Sequence, residues 1–288
     1  MKYAFIQEHE HCWPVRTQCR VLEVSASGYY DWQQRKPGPR QERRAALAGR
    51  IRAIHHTSKR NYGVPRVYLQ LKNEGEAIAP KTVASIMREQ GLKGKASKPR
   101  KPRTTDSRHE QPIAENLLQR DFTATAPNQK WLADITYLDT DTGWLYLAVI
   151  LDAFSRRVIG WALADHLRTE LVDEALRMAL TQRQPPMHSG LIHHSDRGAQ
   201  YASQIFQERL TAHGIRCSMS RKGDCYDNAM MESFFGTLKT EMDDPLHDPR
   251  QARAVVFEYI EVFYNQWRMH SSINYQSPAA FEQQHQAA

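Results

Sequence analysis

The stretch WLADITYLDTDTGWLYLAVILDAFSRRVIGWALA, residues 131–164, decides the fold. Trp131 to Leu138 alternates in character and reads as a strand. Gly143 to Leu151 and Arg157 to Ala164 are apolar enough to be its neighbours, joined by a turn at Asp152 to Arg156. Toward the C-terminus, helix and strand alternate. Thr169 to Gln182 is expected to be a helix with Leu171, Ala175, Met178 and Ala179 on one face. A short strand Leu191–His194, a helix Ser203–His213, a strand Ile215–Met219 and a long helix from Asn228 to Met242 follow. Three meandering strands and then helix–strand–helix–strand–helix predict an α/β fold, a mixed five-stranded sheet flanked by helices. Pro249 to His270 reads as one further helix, with Val255, Val256, Tyr259, Ile260 and Phe263 as its buried stripe.

Upstream of residue 131 the pattern is helical. Val15 to Arg35 reads as two short helices, the second capped by Ser25 or Ser27, an arrangement that suits DNA or a purely structural hairpin. Lys36-Pro37-Gly38-Pro39 breaks the chain, and a long helix is expected from Gln41 to His56. Pro65 and Pro80 each sit at an allowed first-turn position of a helix. The second of these, Lys81 to Gln90, carries Val83, Ile86 and Met87 at helical spacing and stops at Gly91. Arg66 and Lys81 are the basic residues at these helix starts that face DNA if the unit is a helix–turn–helix.

Charge divides the chain. Residues 1–120 hold 24 Lys+Arg against 11 Asp+Glu, whereas residues 121–288 hold 15 against 21, within an overall formal charge of +7. The basic half suits a polyanion, because neutralised phosphates release condensed counterions. KGKASKPRKPR, residues 93–103, has six positive residues, two prolines and no acid, so it reads as an extended linker. Its Lys98, Arg100, Lys101 and Arg103 either cross a phosphate backbone or solubilise a tether. The apolar content, 41% of 288 residues, excludes wholesale disorder. The longest apolar run, Trp144 to Leu151, is too short to cross a bilayer, and Glu8, His9 and Glu10 occupy the place of a signal peptide's apolar stretch. Four cysteines make no disulfide framework, so a soluble protein of a reducing cytosol is expected.

Three acids stand out by placement. Asp134 lies inside the first strand, sharing a face with Leu132, Thr136 and Leu138, where an uncompensated charge is costly. Asp196 follows directly on a strand end, where ligand sites gather in α/β sheets. Glu232 lies in the long helix beside Met231, Phe234, Phe235 and Leu238. Converging acids repel unless a cation joins them. Mg²⁺ suits such oxygen donors, and two metals can serve an in-line phosphoryl transfer.

Between Asp196 and Glu232 lie 35 residues, the D,D(35)E spacing of the retroviral integrase and transposase superfamily. The runs Trp131-Leu-Ala-Asp134-Ile-Thr-Tyr, His193-His-Ser-Asp196-Arg-Gly-Ala-Gln-Tyr201 and Asp227-Asn-Ala-Met-Met-Glu232-Ser-Phe-Phe-Gly-Thr-Leu-Lys239-Thr-Glu241 resemble the insertion-sequence family-three transposases, OrfB type. So do Cys19-Arg-Val-Leu, Ser27-Gly-Tyr-Tyr, Tyr62-Gly-Val-Pro-Arg, Tyr264-Asn265, Arg268, His270 and Tyr275-Gln-Ser-Pro278, so that the resemblance spans nearly the whole chain. It implies a ribonuclease-H-like catalytic core behind all-α helix–turn–helix modules. The corresponding division is 1–38 and 39–92 for the helical modules, 93–127 for the basic linker, 128–248 for the core and 249–288 for its helical tail. It also implies Mg²⁺, with Mn²⁺ as a substitute, held by Asp134, Asp196 and Glu232. The implied activity cuts 3′ ends of the element and transfers the strand. The implied partners are double-stranded DNA (terminal inverted repeats and target), further copies of the chain on that DNA, and an OrfA protein or an OrfA–OrfB fusion. The enzyme is then nucleoid-associated when bound. Rival readings are a non-catalytic remnant or repressor, and a structure-selective nuclease on the same fold.

Several residues have two readings. Lys239 follows Glu232 by seven residues, which returns it within about 20° of the same direction and about 10 Å along the helix, too far to ligate the same metal. It either meets a phosphate or pairs with Asp243. Asn228 is placed to contact DNA or to cap its helix, and His194 to touch DNA or to pack. Asp152 is a rival metal ligand or a turn residue, and Asp224 and Asp227 suit a helix start. His9, His11, Cys12 and Cys19 have the wrong spacing for a zinc knuckle, with Cys19 fitting an apolar helix position. Tyr259, Phe263 and Trp267 read as core rather than as a base-stacking platform.

Overall fold

A computed structural model describes residues 1–96, 111–221, 225–242 and 244–286. The chain divides into two compact units, Met1–Ala53 and Ile54–Ala288. In the first, α1 (Lys2–Glu8), α2 (Val15–Val21) and α3 (Ala26–Gln34) close around Ile6, Cys19 and Tyr29. Ser25 caps α3 by accepting from the Gly28 amide at 3.3 Å. The helix α1 went unforeseen because its seven residues bury only Ile6 and so carry no periodic signal. Helix α4 (Pro39–Thr57) begins within the Lys36–Pro39 breaker, with Pro39 as its first residue. Helices α5 (Val64–Asn73) and α6 (Pro80–Glu89) follow, each with proline in its first turn. Gly75 and Gly91, at φ 82° and 68°, take the left-handed turns beyond them.

Strands β1 (Lys130–Thr140), β2 (Gly143–Asp152) and β3 (Val158–Ala164) form the antiparallel meander, and β4 (Ile192–Ser195) and β5 (Arg216–Met219) add in parallel to β1. The order is β3-β2-β1-β4-β5, so the mixed five-stranded sheet is as the alternation predicts. Helix α7 (Thr169–Arg183) packs on the face carrying Trp131, Ala133, Ile150 and Ala162. Gly160 permits that approach, since a Cβ there would collide with the Ala175 carbonyl. Short α8 (Ala199–Ala202) and α9 (Gln204–Ala212) complete this core through Tyr201, Phe206 and Leu210. After β5, a 3₁₀ turn, Cys225–Asn228, leads into α10 (Ala229–Glu241), which packs against β1.

The expected helix Pro249–His270 is corrected. α11 (Pro249–Phe257) widens into a π-helical segment, Glu258–Tyr264, and the helix ends there. Asn265 supplies the reason. Its side chain accepts from the Val158 amide at 3.0 Å and donates to the Val158 carbonyl at 2.9 Å, pairing with edge strand β3 as a strand residue does. Trp267, expected in the core, is turned outward and 48% exposed. A further helix, α12 (Pro278–Gln286), is held by buried Glu282, which accepts from Ser155, Arg157 and Arg183 at 2.6, 2.9 and 2.5 Å. Among the described residues no helix is long and apolar enough to cross a membrane.

Candidate active site

The parallel register of β1 on β4 pairs Lys130, Trp131 and Leu132 with Ile192, His193 and His194. Carried on past the end of the ladder, that register sets Asp134 level with Asp196. Each carboxylate is fixed by a backbone amide: Ile135 donates to Asp134 Oδ1 at 2.8 Å, and Gly198 to Asp196 Oδ1 at 3.0 Å. Glu232 stands in the first turn of α10, solvent-exposed at the rim. Burial first, then the charges of Asp196 and Glu232, hold the Asp134 carboxyl well above the usual carboxylate range, with Lys239 opposing. Burial also raises Glu232. Among the described residues no three His, Cys, Asp or Glu side chains come close enough to hold one ion, so the acids converge without closing into a coordination shell. Their chemistry nonetheless fits a hard cation. The donors are all carboxylate oxygens, and the repulsion that raises Asp134 is what a divalent ion relieves.

Lys239 lies on the Glu232 side of α10, with Nζ 4.3 Å from the centre of the Tyr137 ring and its charge felt at Asp134. Asp243, its alternative partner, lies outside the described residues. Asn228 occupies the N-cap position of α10, but its side chain makes no capping bond there. It donates to the Ala133 carbonyl at 3.5 Å and so ties the helix to β1 next to Asp134.

His194 is corrected as a DNA contact. It is wholly buried, with Nδ1 at 2.8 Å from the Ser218 hydroxyl and Nε2 at 3.0 Å from the Asp227 carbonyl. Burial pushes its pKa down to about 4. Its strand neighbours His193 and Ser195 are buried as well, so β4 is covered on both faces.

Arg66 is partly turned inward, its side chain 24% exposed. Its Nε donates to the Met269 carbonyl at 3.1 Å, and its guanidinium lies 5.5 Å from the Tyr62 ring centre and 3.9 Å from Glu241. A buried carboxylate has drawn it into the structure. Lys81 is exposed on the first turn of α6. Lys98, Arg100, Lys101 and Arg103 lie outside the described residues. Asp152 is a turn residue: fully buried, it accepts from the amides of Asn128 and Phe154 at 2.9 and 3.0 Å, and burial lifts its pKa to about 6.

The sequence reading missed a hub at Asp227, which it treated only as a helix-start acid. This buried carboxylate collects Asn116 Nδ2 at 2.8 Å, the Arg221 amide at 2.8 Å, Arg221 Nε and Nη2 at 3.0 Å each, and Arg120 Nε at 3.5 Å. Hydrogen bonding from Arg221 pulls its pKa down to about 2. Asn116 is 111 residues away in sequence, and no local pattern announces such a pair.

Comparison with known proteins supplies the class. The chain matches the integrase core domain over residues 124–225 and again, by a second such family, over 213–278, and an HTH-like domain over 42–101. With the mixed sheet and its acids, this defines a DNA-binding transposase with an integrase core, a DDE-type polynucleotidyl transferase. The chain is 46% identical over 286 residues to transposase InsF of insertion sequence IS3A from Escherichia coli (strain K12), covering 98% of each chain. It is 43% identical over 273 residues to the insertion element IS600 31 kDa protein of Shigella sonnei, covering 94% of this chain and 99% of that one. It belongs to the IS3 family of transposases. Among solved structures it is similar to the HTLV-2 integrase catalytic core domain in complex with magnesium, at 19% identity and a TM-score of 0.44, covering 56% of this chain and 99% of that one.

Proposed function

We propose that Asp134, Asp196 and Glu232 form the catalytic and metal-binding trio, with Mg²⁺ as the natural ion and Mn²⁺ as a substitute. The observation that carries this is the β1–β4 register: extended by two residues, it brings Asp134 on β1 level with Asp196 just past the end of β4, and α10, which bears the third acid, packs against β1. A bound divalent ion supplies Lewis-acid stabilisation of the attacking and leaving oxygens. The chain's own residues do the rest. Asp134 and Asp196, each locked by a backbone amide, present their charge without a change of rotamer. Glu232 completes the set from α10, and Lys239 holds a phosphate beside the scissile one. The reaction cleaves a 3′ end of the element, and the freed 3′-hydroxyl then displaces a second phosphodiester.

The substrate is the element's terminal inverted repeats and its target DNA. The basic amino-terminal modules, with Lys81 on α6 and the linker residues Lys98, Arg100, Lys101 and Arg103, engage duplex DNA. Several copies of the chain act together on it, in concert with an OrfA protein or as an OrfA–OrfB fusion, in the bacterial cytoplasm at the nucleoid. The division of labour follows the sequence boundaries 1–38, 39–92, 93–127, 128–248 and 249–288.

The test is substitution of each acid by its amide, which keeps shape and removes charge. Asp134→Asn, Asp196→Asn and Glu232→Gln should bind terminal DNA yet lose Mg²⁺-dependent cleavage and joining. An Asp196→Asn protein that joins strands at the wild-type rate overturns the assignment.

A further inference from the structure

Tyr201 closes the run His193–Tyr201 that carries Asp196, and it belongs neither to the acid trio nor to the residues that face DNA. It is 2% exposed. Its ring is wedged in the core between His193 and Phe206, whose ring centres lie 6.1 and 5.5 Å away. Its amide donates to the Gly198 carbonyl at 3.0 Å, and the Gly198 amide in turn clamps Asp196 Oδ1, so one tight turn ties the ring to that acid. A tyrosine buried this deeply normally spends its hydroxyl on a partner. Among the described residues this hydroxyl has no hydrogen-bond partner, and His193 leaves both of its ring nitrogens unbonded as well.

The open acceptors nearby are the two carboxylates. The ladder between β1 and β4 ends at Leu132–His194, two residues short of Asp134 and of Asp196, so no backbone bond between these strands holds the acids level. Each carboxylate is fixed through Oδ1 alone, by Ile135 or by Gly198, and its second oxygen is unbonded among the described residues. The charges of both acids reach the phenol. Burial first, then Asp134, then Asp196, push its pKa well above the ordinary value, so it stays a proton-bearing donor beside two acceptors. A neutral donor also suits a cation site. It bonds a carboxylate without competing for the charge that a divalent ion needs, as a lysine there would.

We propose that Tyr201 is a positioning residue of the acid site, its hydroxyl donating to an outer oxygen of the Asp134–Asp196 pair when a divalent ion draws the two carboxylates together. The ion takes the oxygens turned toward it, and the hydroxyl fixes one turned away, as outer hydrogen bonds do for ligating carboxylates generally. This rests on the acid trio being the metal site.

The experiment uses the full chain without DNA and reads binding of Mn²⁺ alone, through the loss of the free ion's paramagnetic resonance signal. Asp134→Asn should bind far less of the ion than wild type. Tyr201→Phe keeps the ring and removes only the hydroxyl, so it should weaken Mn²⁺ binding about 10- to 100-fold. Without metal it should melt no lower than wild type, because no hydrogen bond is lost. Wild-type affinity in Tyr201→Phe, beside a weakened Asp134→Asn, overturns the positioning role and leaves a packing residue. A loss of affinity that comes with a lower metal-free melting temperature overturns it too. A wild type with no Mn²⁺ site, or an Asp134→Asn protein that binds as wild type does, overturns the trio itself and this proposal with it.

Discussion

Truncating Arg268 should destabilise the protein more than any change at the exposed acid Glu232. Its Nε and Nη2 each donate to Glu241 at 2.7 Å, and the two side chains are only 6% and 7% exposed. The Tyr259 hydroxyl donates to the same carboxylate at 3.0 Å. Arg268→Ala removes the guanidinium and strands a carboxylate in the interior, a loss of ~3–5 kcal/mol for buried pairs broken on one side. In a unit of this size each kcal/mol moves the melting temperature by ~2–4 °C, so a fall of ~6–20 °C is expected. Arg66, at 3.9 Å from Glu241, retains part of the countercharge and places the result in the lower half of that range. Removing both charges together, as Glu241→Met with Arg268→Met, should recover most of the loss, because no unpaired ion remains. Calorimetry on the full chain reads all three proteins. A single variant melting within ~2 °C of wild type, or a double variant melting below the single, refutes the reasoning.

Asp227→Asn should lower stability at neutral pH. The folded carboxyl is held down to about 2, so its contribution is present above the unfolded value near 3.8 and is lost as pH falls toward 2; the gap to wild type in acid-titrated melts should close over that interval. His193, buried and with no hydrogen-bond partner among the described residues on either ring nitrogen, has its pKa pushed down to about 3 by that burial. The unfolded chain takes up the proton near pH 6.5 and the folded one does not, so stability falls as pH drops from about 6.5 toward 3, and His193→Leu should flatten that part of the profile. Lys239→Ala should weaken strand joining while Lys239→Arg retains much of it, with melting barely changed in either; unchanged joining by the alanine variant would refute the phosphate contact and leave the lysine a surface residue beside Tyr137.

The sheet was legible because its determinants are local. Alternation in Trp131–Leu138 and the apolar runs after it locate three strands to within two residues at each end. The acids were legible by spacing and by the cost of a charge such as Asp134 within a strand. What the sequence hid depends on partners far along the chain. Helix α12 is held by Glu282, which finds Ser155 at a separation of 127 residues. The π-helical widening exists because Asn265 reaches Val158, 107 residues earlier. Arg66 looked like a DNA contact because it stands at the start of a helix in a candidate helix–turn–helix, and only the fold reveals that Glu241 lies beside it.

The three acids are not held alike. Asp134 lies in the ladder of the sheet, opposite Val149, and Asp196 directly follows β4 with its carboxylate held by the Gly198 amide. Glu232 sits on α10, whose position depends on what grips its two ends. At the start, Asn228 is bonded to β1, and neighbouring Asp227 gathers Asn116 and Arg120, residues of the segment that leads into the sheet. At the far end, Glu241 is held by Arg268 through its side chain and by Lys95 through its carbonyl, at 2.8 Å. Tyr62, at the approach to α5, adds bonds to Trp267 and Met269 at 3.0 and 2.9 Å. Residues 42–101, which match an HTH-like domain, thus supply Tyr62, Arg66 and Lys95 to the structure around this one helix. Glu232 is thus the acid whose helix is gripped by side chains that this segment supplies.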